Sequence, residues 1–181
     1  MVHDEPWQVF AENGIAVTGF SAHREEFDHD TSLIVGASHI WLWRRGASEI
    51  EVLLQKRATT KKTWPGYYDI SATGHIDAGE TPVESAVREA KEELGTEIDA
   101  DKLLYLFSLR TPLAKSEIDH VYIYEVDDTF VPTFHDGEVE LVEWLGLNDF
   151  RERLKAPEEH QIVNQGRSEE HTSELQSRQC I

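Results

Sequence analysis

Basic residues are scarce: 17 lysines and arginines stand against 35 aspartates and glutamates, a formal net charge of -18. That balance excludes a broad electrostatic footprint on DNA, RNA or anionic lipid, each of which requires clustered cations. A small phosphorylated partner remains compatible with it, provided divalent cations neutralise protein carboxylates and phosphate oxygens together. Cysteine is nearly absent, and the single Cys180 cannot form an internal disulfide, so nothing signals an oxidising compartment or a thiolate metal site. No apolar run approaches the ~20 residues of a membrane span. The chain starts with Asp4, Glu5 and Trp7 where a secretory signal would be basic and then apolar, which makes the cytoplasm the expected location.

What is present fits one globular domain. A chain of 181 residues buries roughly 70% of the surface of its unfolded state, enough for a core without staples. Residues 7–20 read as a hairpin around Glu12-Asn13-Gly14, since Asn-Gly is a strong turn signal. Strands are expected over 33–44, where alternation is clear, and over 50–57, with a turn at Gly46-Ala47-Ser48 and a loop over 59–66. Further strands are expected over 103–109, 121–126 and 139–145, with a polar loop containing Pro112 and a turn at Asp136-Gly137. Asn148 or Asp149 is placed to cap a short helix beginning at Phe150. The pattern is mixed α and β, with helices on a largely mixed sheet. The segment 167–177, RSEEHTSELQS, is polar, aperiodic and similar to the translation of a sequencing-library adapter. The expected domain is therefore 1–166, with 167–181, including His171 and Cys180, as a non-native or disordered tail.

The helix with the clearest boundaries follows Thr81. Thr81-Pro82-Val83-Glu84 combines a capping hydroxyl, proline at the first helical position and glutamate three residues after the cap, and Gly95 supplies the stop. Val83, Ala86, Val87, Ala90 and Leu94 form the apolar stripe. Glu89, Glu92 and Glu93, at i, i+3 and i+4, share a face expected to point away from it. Three like charges that close repel one another, so either Arg88 and Lys91 pair with them or hard divalent cations sit among their oxygens.

The stretch from Gly74 to Thr96 favours the cations. Gly74, Glu80, Arg88, Glu89, Glu92, Glu93 and Gly95 match all seven fixed positions of the 23-residue Nudix box, with Ala90 a small residue and Thr96 a polar one where bulky aliphatics are usual. The resemblance implies an α/β/α sandwich with a mixed sheet, a catalytic loop-helix-loop, and hydrolysis of a diphosphate in a small molecule of the nucleoside-diphosphate type. It places metal ligands on Glu89, Glu92 and Glu93 with the Gly74 carbonyl, a bracing pair on Glu80 and Arg88, and Mg²⁺, with Mn²⁺ as substitute, as the ion. Another catalytic glutamate falls on Glu138, ahead of Trp144.

Outside the box, Leu53 to Arg57, Trp64 to Asp69 and Gly74-His75 are similar to the subgroup that includes isopentenyl-diphosphate isomerase. That isomerase carries a catalytic cysteine where this chain has Thr73, which turns the expectation toward hydrolysis. A nucleotide-sensing module without turnover is the other alternative, and the intact glutamates speak against it. Lys56 and Arg57 are candidates for phosphate contact, Tyr67, with Trp64 and Tyr68, for stacking or pocket walls, and His75 for a further ligand. His23, His29, His39 and His120 show no metal-ligand spacing. The implied partner is a small diphosphate; a homodimer is compatible with the sequence, which holds no feature that decides it.

Overall fold

The computed structural model describes residues 5–30, 32–111, 117–134 and 137–163. The readings on Pro112, on Asp136 and on 167–181 lie outside these residues.

The hairpin forms as its turn signal predicts. Strands β1 (Trp7–Phe10) and β2 (Ala16–Ala22) pair antiparallel across a turn in which Gly14 sits at φ 78, a left-handed conformation that favours glycine. A short helix, α1 (Arg24–His29), leads into β3 (Ile34–Arg45), the strand around which the fold is organised. Its first seven residues are buried, as expected for a strand covered on both faces. It pairs antiparallel with β1, β4 (Ile50–Arg57) and β6 (Ala72–His75), and parallel with β8 (Glu117–Glu125). Strands β5 (Tyr68–Asp69), β7 (Leu104–Thr111) and β9 (Val139–Gly146) complete a nine-stranded mixed sheet.

The sheet forks, and the fork positions the site. β3 and β4 pair only from Trp43↔Val52 to Arg45↔Ile50. Beyond that β3 takes β6 as its neighbour, while β4 takes β5 and β9. Backbone groups that lose their ladder partners need others. At the fork Ser71, wholly buried, receives the Leu42 N–H at 2.8 Å on its hydroxyl and donates to the Leu53 carbonyl at 2.6 Å. Strands β5 and β6 were not expected from the sequence. They are two and four residues long, carry no alternation of their own, and owe their geometry to β3 and β4.

Helix α2 (Pro82–Leu94) has the boundaries its caps specify: Thr81 and Glu84 form the reciprocal capping box, and Gly95 closes the helix at φ 62. Ala86, Ala90 and Leu94 pack without exposure on Ile40, Leu42, Leu53 and Ala72 of the sheet. Helix α3 (Leu147–Arg153) begins three residues before the expected start at Phe150. Its N-terminus is served by Glu49, whose carboxylate accepts the Asn148 N–H at 3.0 Å, so a residue distant in sequence replaces the local cap. Phe150 meets Trp41 on the sheet face opposite α2, with ring centroids 5.4 Å apart. That face carries an open groove of about 450 Å³ lined by Trp41, Trp43, Val52, Phe107, Ile123 and other apolar residues. Among the described residues no helix is long and apolar enough to cross a membrane.

Candidate active site

The loop before α2 is held by one guanidinium. Arg88 donates to both oxygens of Glu80 at 2.9 and 3.0 Å, to the His75 carbonyl at 2.9 Å, and to Glu89 and Glu92 at 2.6 and 3.2 Å. Glu80 in turn accepts the Asp77 N–H at 3.1 Å. The pair expected to brace the loop against the helix is therefore joined bidentately, the strong geometry for arginine and carboxylate. Burial disfavours the charge on Arg88, but Glu80 and Glu89 outweigh it and keep the guanidinium protonated.

The three glutamates do not share the one outward face expected of them, and among the described residues they form no group whose ligand atoms all lie within 4.8 Å of one another. Glu92 is exposed beside Arg88, whereas the Glu89 side chain is 12% exposed and Glu93 only 5%. Helix geometry explains the difference. Seven residues make two turns less about 20°, so Glu93 nearly eclipses Ala86 of the buried stripe and turns inward. Glu89 lies over Gly74, where a Cβ would stand 2.0 Å from its Oε1, so only glycine admits this approach. Glu93 reaches the sheet fork. Its Oε2 accepts the Thr73 N–H of β6 at 2.9 Å and the Gln55 carboxamide of β4 at 3.0 Å. Burial pushes the Glu93 carboxyl well above the usual range, and Glu89, Asp69 and Glu138 add to the effect. Glu89 is also raised, by burial first, although Arg88 opposes it.

The remaining candidates are distributed around this centre. Glu138 is close enough for its charge to act on Glu93, and its carboxylate accepts from Lys61 on the 59–66 loop. Arg57 is engaged by Asp69 at 3.3 Å and by Thr63, and Lys56 reaches Glu140 at 3.4 Å. Tyr67 lies edge-on to Trp64 at 5.2 Å. His75 stacks on Trp7 at 3.8 Å and meets Glu117 at 3.4 Å. His23 caps α1, which ends at His29.

Sequence reading missed Gln55, Asp69 and a cluster apart from the box, in which ligand atoms of His39, Glu117 and Asp119 lie within 4.8 Å of one another. Asp119 is wholly buried and 3.5 Å from the His39 ring, which burial pushes toward its neutral form. Glu117 and Asp119 stand two apart in a strand, a spacing that puts both carboxylates on one face and was the available signal. His120 bonds Ser108 through Nδ1 at 2.9 Å, while its buried Nε2 has no hydrogen-bond partner.

The donors of the box are of the type a hard cation takes, carboxylate oxygens, with Glu89 and Glu92 paired to Arg88 and Glu93 a carboxylate that burial opposes ionising. A family model described as the NUDIX domain matches residues 33–165. The chain belongs to the Nudix family. Nudix hydrolase 3 of Arabidopsis thaliana is 38% identical over 104 residues, covering 58% of this chain and 13% of that protein. An isopentenyl-diphosphate Delta-isomerase of Corynebacterium diphtheriae is 35% identical over 106 residues, 52% of this chain and 56% of the isomerase. The chain thus spans less than two thirds of either relative. A crystal structure of a Deinococcus radiodurans protein superposes with a TM-score of 0.64 at 26% identity, covering 84% of this chain and 90% of that one. The α/β fold with its mixed sheet is the Nudix fold.

Proposed function

We propose that this Nudix chain hydrolyses the diphosphate bond of a small nucleoside-diphosphate-type molecule with a divalent metal ion as cofactor. The observation that carries the reading is the inward convergence of Glu89 and Glu93 on the sheet fork beside Glu92, with burial opposing the ionisation of Glu93. Leaving a carboxylate buried without a cation is unfavourable, and a divalent ion removes that cost.

Glu89, Glu92 and Glu93, with the Gly74 carbonyl, would hold Mg²⁺ or Mn²⁺. When bound, the ion supplies positive charge for the phosphate oxygens and lowers the pKa of the attacking water. The chain's own contribution is position and proton transfer. Arg88 keeps the loop and the helix in register through Glu80 and the His75 carbonyl. Water adds to phosphorus, the bridging P–O bond breaks, and the proton released is taken by a carboxylate, for which Glu93 and Glu138 are the candidates. Burial raises the proton affinity of Glu93, the direction a proton acceptor needs. Small substrates, rather than nucleic acid, fit the net charge of -18.

The isomerase reading has support in the names of some relatives. Against it, the residue beside the box glycine is Thr73, whose hydroxyl is a weak acid and whose main chain is committed to Glu93. A panel of nucleotide sugars, dinucleotides, nucleoside di- and triphosphates and prenyl diphosphates, each with and without Mg²⁺ or Mn²⁺, tests the proposal. Metal-dependent release of phosphate-ended products that Glu93→Gln abolishes supports it. Dimethylallyl diphosphate formed from isopentenyl diphosphate, or nucleotide binding with no turnover, contradicts it.

A further inference from the structure

We infer that Gln55 is the positioning residue of the metal-binding carboxylate on Glu93; the inference deepens the proposed function and rests on that reading. Gln55 is 1% exposed in the otherwise apolar interior stretch of β4, between Leu54 and Lys56. Burying a carboxamide is costly unless its hydrogen bonds are made. Its N–H group donates to Glu93 Oε2 at 3.0 Å, the same oxygen that the Thr73 N–H reaches at 2.9 Å.

The two donors stand on opposite arms of the forked sheet, β4 and β6, and Glu93 comes from the helix above. Glutamate has three side-chain torsions, and two donors on one oxygen fix them and leave Oε1 for another partner. The chemistry of the donors matters as much as their place. An amide and a main-chain N–H carry no net charge, so they orient the carboxylate without neutralising it, and its attraction for a cation is retained. A lysine or arginine at this position would pair with Glu93 and compete with the ion; a hydrocarbon would leave the Thr73 N–H as the only hold on the carboxylate. Thr73 contributes through its backbone, which substitution cannot remove, so Gln55 is the half of the clamp that sequence specifies.

The test compares wild type with Gln55→Met, which keeps the length and removes the donor, and Gln55→Asn, which keeps the amide but draws it back by one methylene. The metal alone is the probe: Mn²⁺ affinity is measured by electron paramagnetic resonance of the free ion, alongside thermal melting and steady-state kinetics. Both variants should bind Mn²⁺ about tenfold more weakly, with kcat lowered about 10- to 100-fold and KM changed less than about threefold, as for partners that orient metal ligands. On a Glu93→Gln background, Gln55→Met should cost no further Mn²⁺ affinity, because it acts through Glu93. A merely structural role predicts a lower melting temperature with Mn²⁺ affinity and kcat of the folded protein intact, and that result overturns the inference. So does an additive loss in the double variant, or a wild type that binds no Mn²⁺. If Gln55→Met fails to fold, Gln55→Asn decides by the same measure. Wild type that binds Mn²⁺ yet cleaves no diphosphate refutes the proposed function alone and leaves the affinity comparison to judge Gln55.

Discussion

Glu80 and Glu93 flank the same arginine-bearing segment and experience opposite environments. Glu80 is held by both arms of Arg88 and accepts a main-chain N–H, so its charge is matched and its position fixed. Glu93 is deeper, has only neutral donors on Oε2, and is surrounded by the charges of Glu89, Asp69 and Glu138, which raise its proton affinity further. One end of the motif is therefore finished as protein structure, while at the other burial and neighbouring charges disfavour the anion. The contrast separates residues that build the loop from residues that hold a ligand, although all are glutamates in one short stretch.

The comparison breaks most visibly at Glu93. Glu93→Gln keeps an oxygen to accept from Gln55 and Thr73 but removes the charge, and kcat should fall about 10²- to 10⁴-fold in a phosphate-release assay. Activity near wild type would move Glu93 into the same class as Glu80. Arg88→Ala should act on the fold instead. It strands Glu80 and Glu89, and because these side chains retain 23% and 12% exposure the loss should be about 2–3 kcal/mol, below the ~3–5 of a fully buried pair. The corresponding drop in melting temperature is about 5–10 °C. Gly74→Ala sharpens the ligand side of the contrast. The new methyl displaces the Glu89 carboxylate, the flexible end of a side chain, so Mn²⁺ affinity should weaken about tenfold, ~1.4 kcal/mol, with little change in melting.

The smallest effect is on the metal-free protein. The folded-state pKa of Glu93 lies above its unfolded value, so the folded chain binds more protons and stability declines as pH rises from the ordinary glutamate value of 4.5. Glu93→Gln lacks that decline. Without metal the variant should match wild type in melting temperature near pH 4 and exceed it at pH 8. A wild type as stable as the variant at pH 8 would mean that Glu93 is satisfied without a cation.

Much of this arrangement was legible in the chain itself. Caps at Thr81 and Gly95 set α2, alternation set β3, the apolar run Val52-Leu53-Leu54 after a turn set β4, and the spacing of the box gave Glu80 with Arg88 and the three acidic positions. What was not legible depends on tertiary pairing. The fork between β3 and β4 exists because β5 and β6 insert there, and neither is long enough to show a period. Gln55 and Asp69 acquire their roles only through the arms of the fork, and Asp119 only through the parallel pairing of β8 with β3, so each depends on strands distant in sequence. The carboxylates that Lys56 and Arg57 meet, Glu140 and Asp69, could not be read from the sequence either. The expectation that all three glutamates face away from the core failed for Glu93, since a charged residue at the margin of an apolar stripe reads as exposed unless its angle to Ala86 is worked out.

The most direct test of the buried, cation-seeking carboxylate is thermal unfolding at pH 8 with and without saturating Mn²⁺, in wild type and in Glu93→Gln. Ion at about 100 times its dissociation constant should stabilise wild type by ~2.7 kcal/mol, a rise of about 5–10 °C, and the variant by a small fraction of that. Equal rises in the two proteins, or none in wild type, would contradict it.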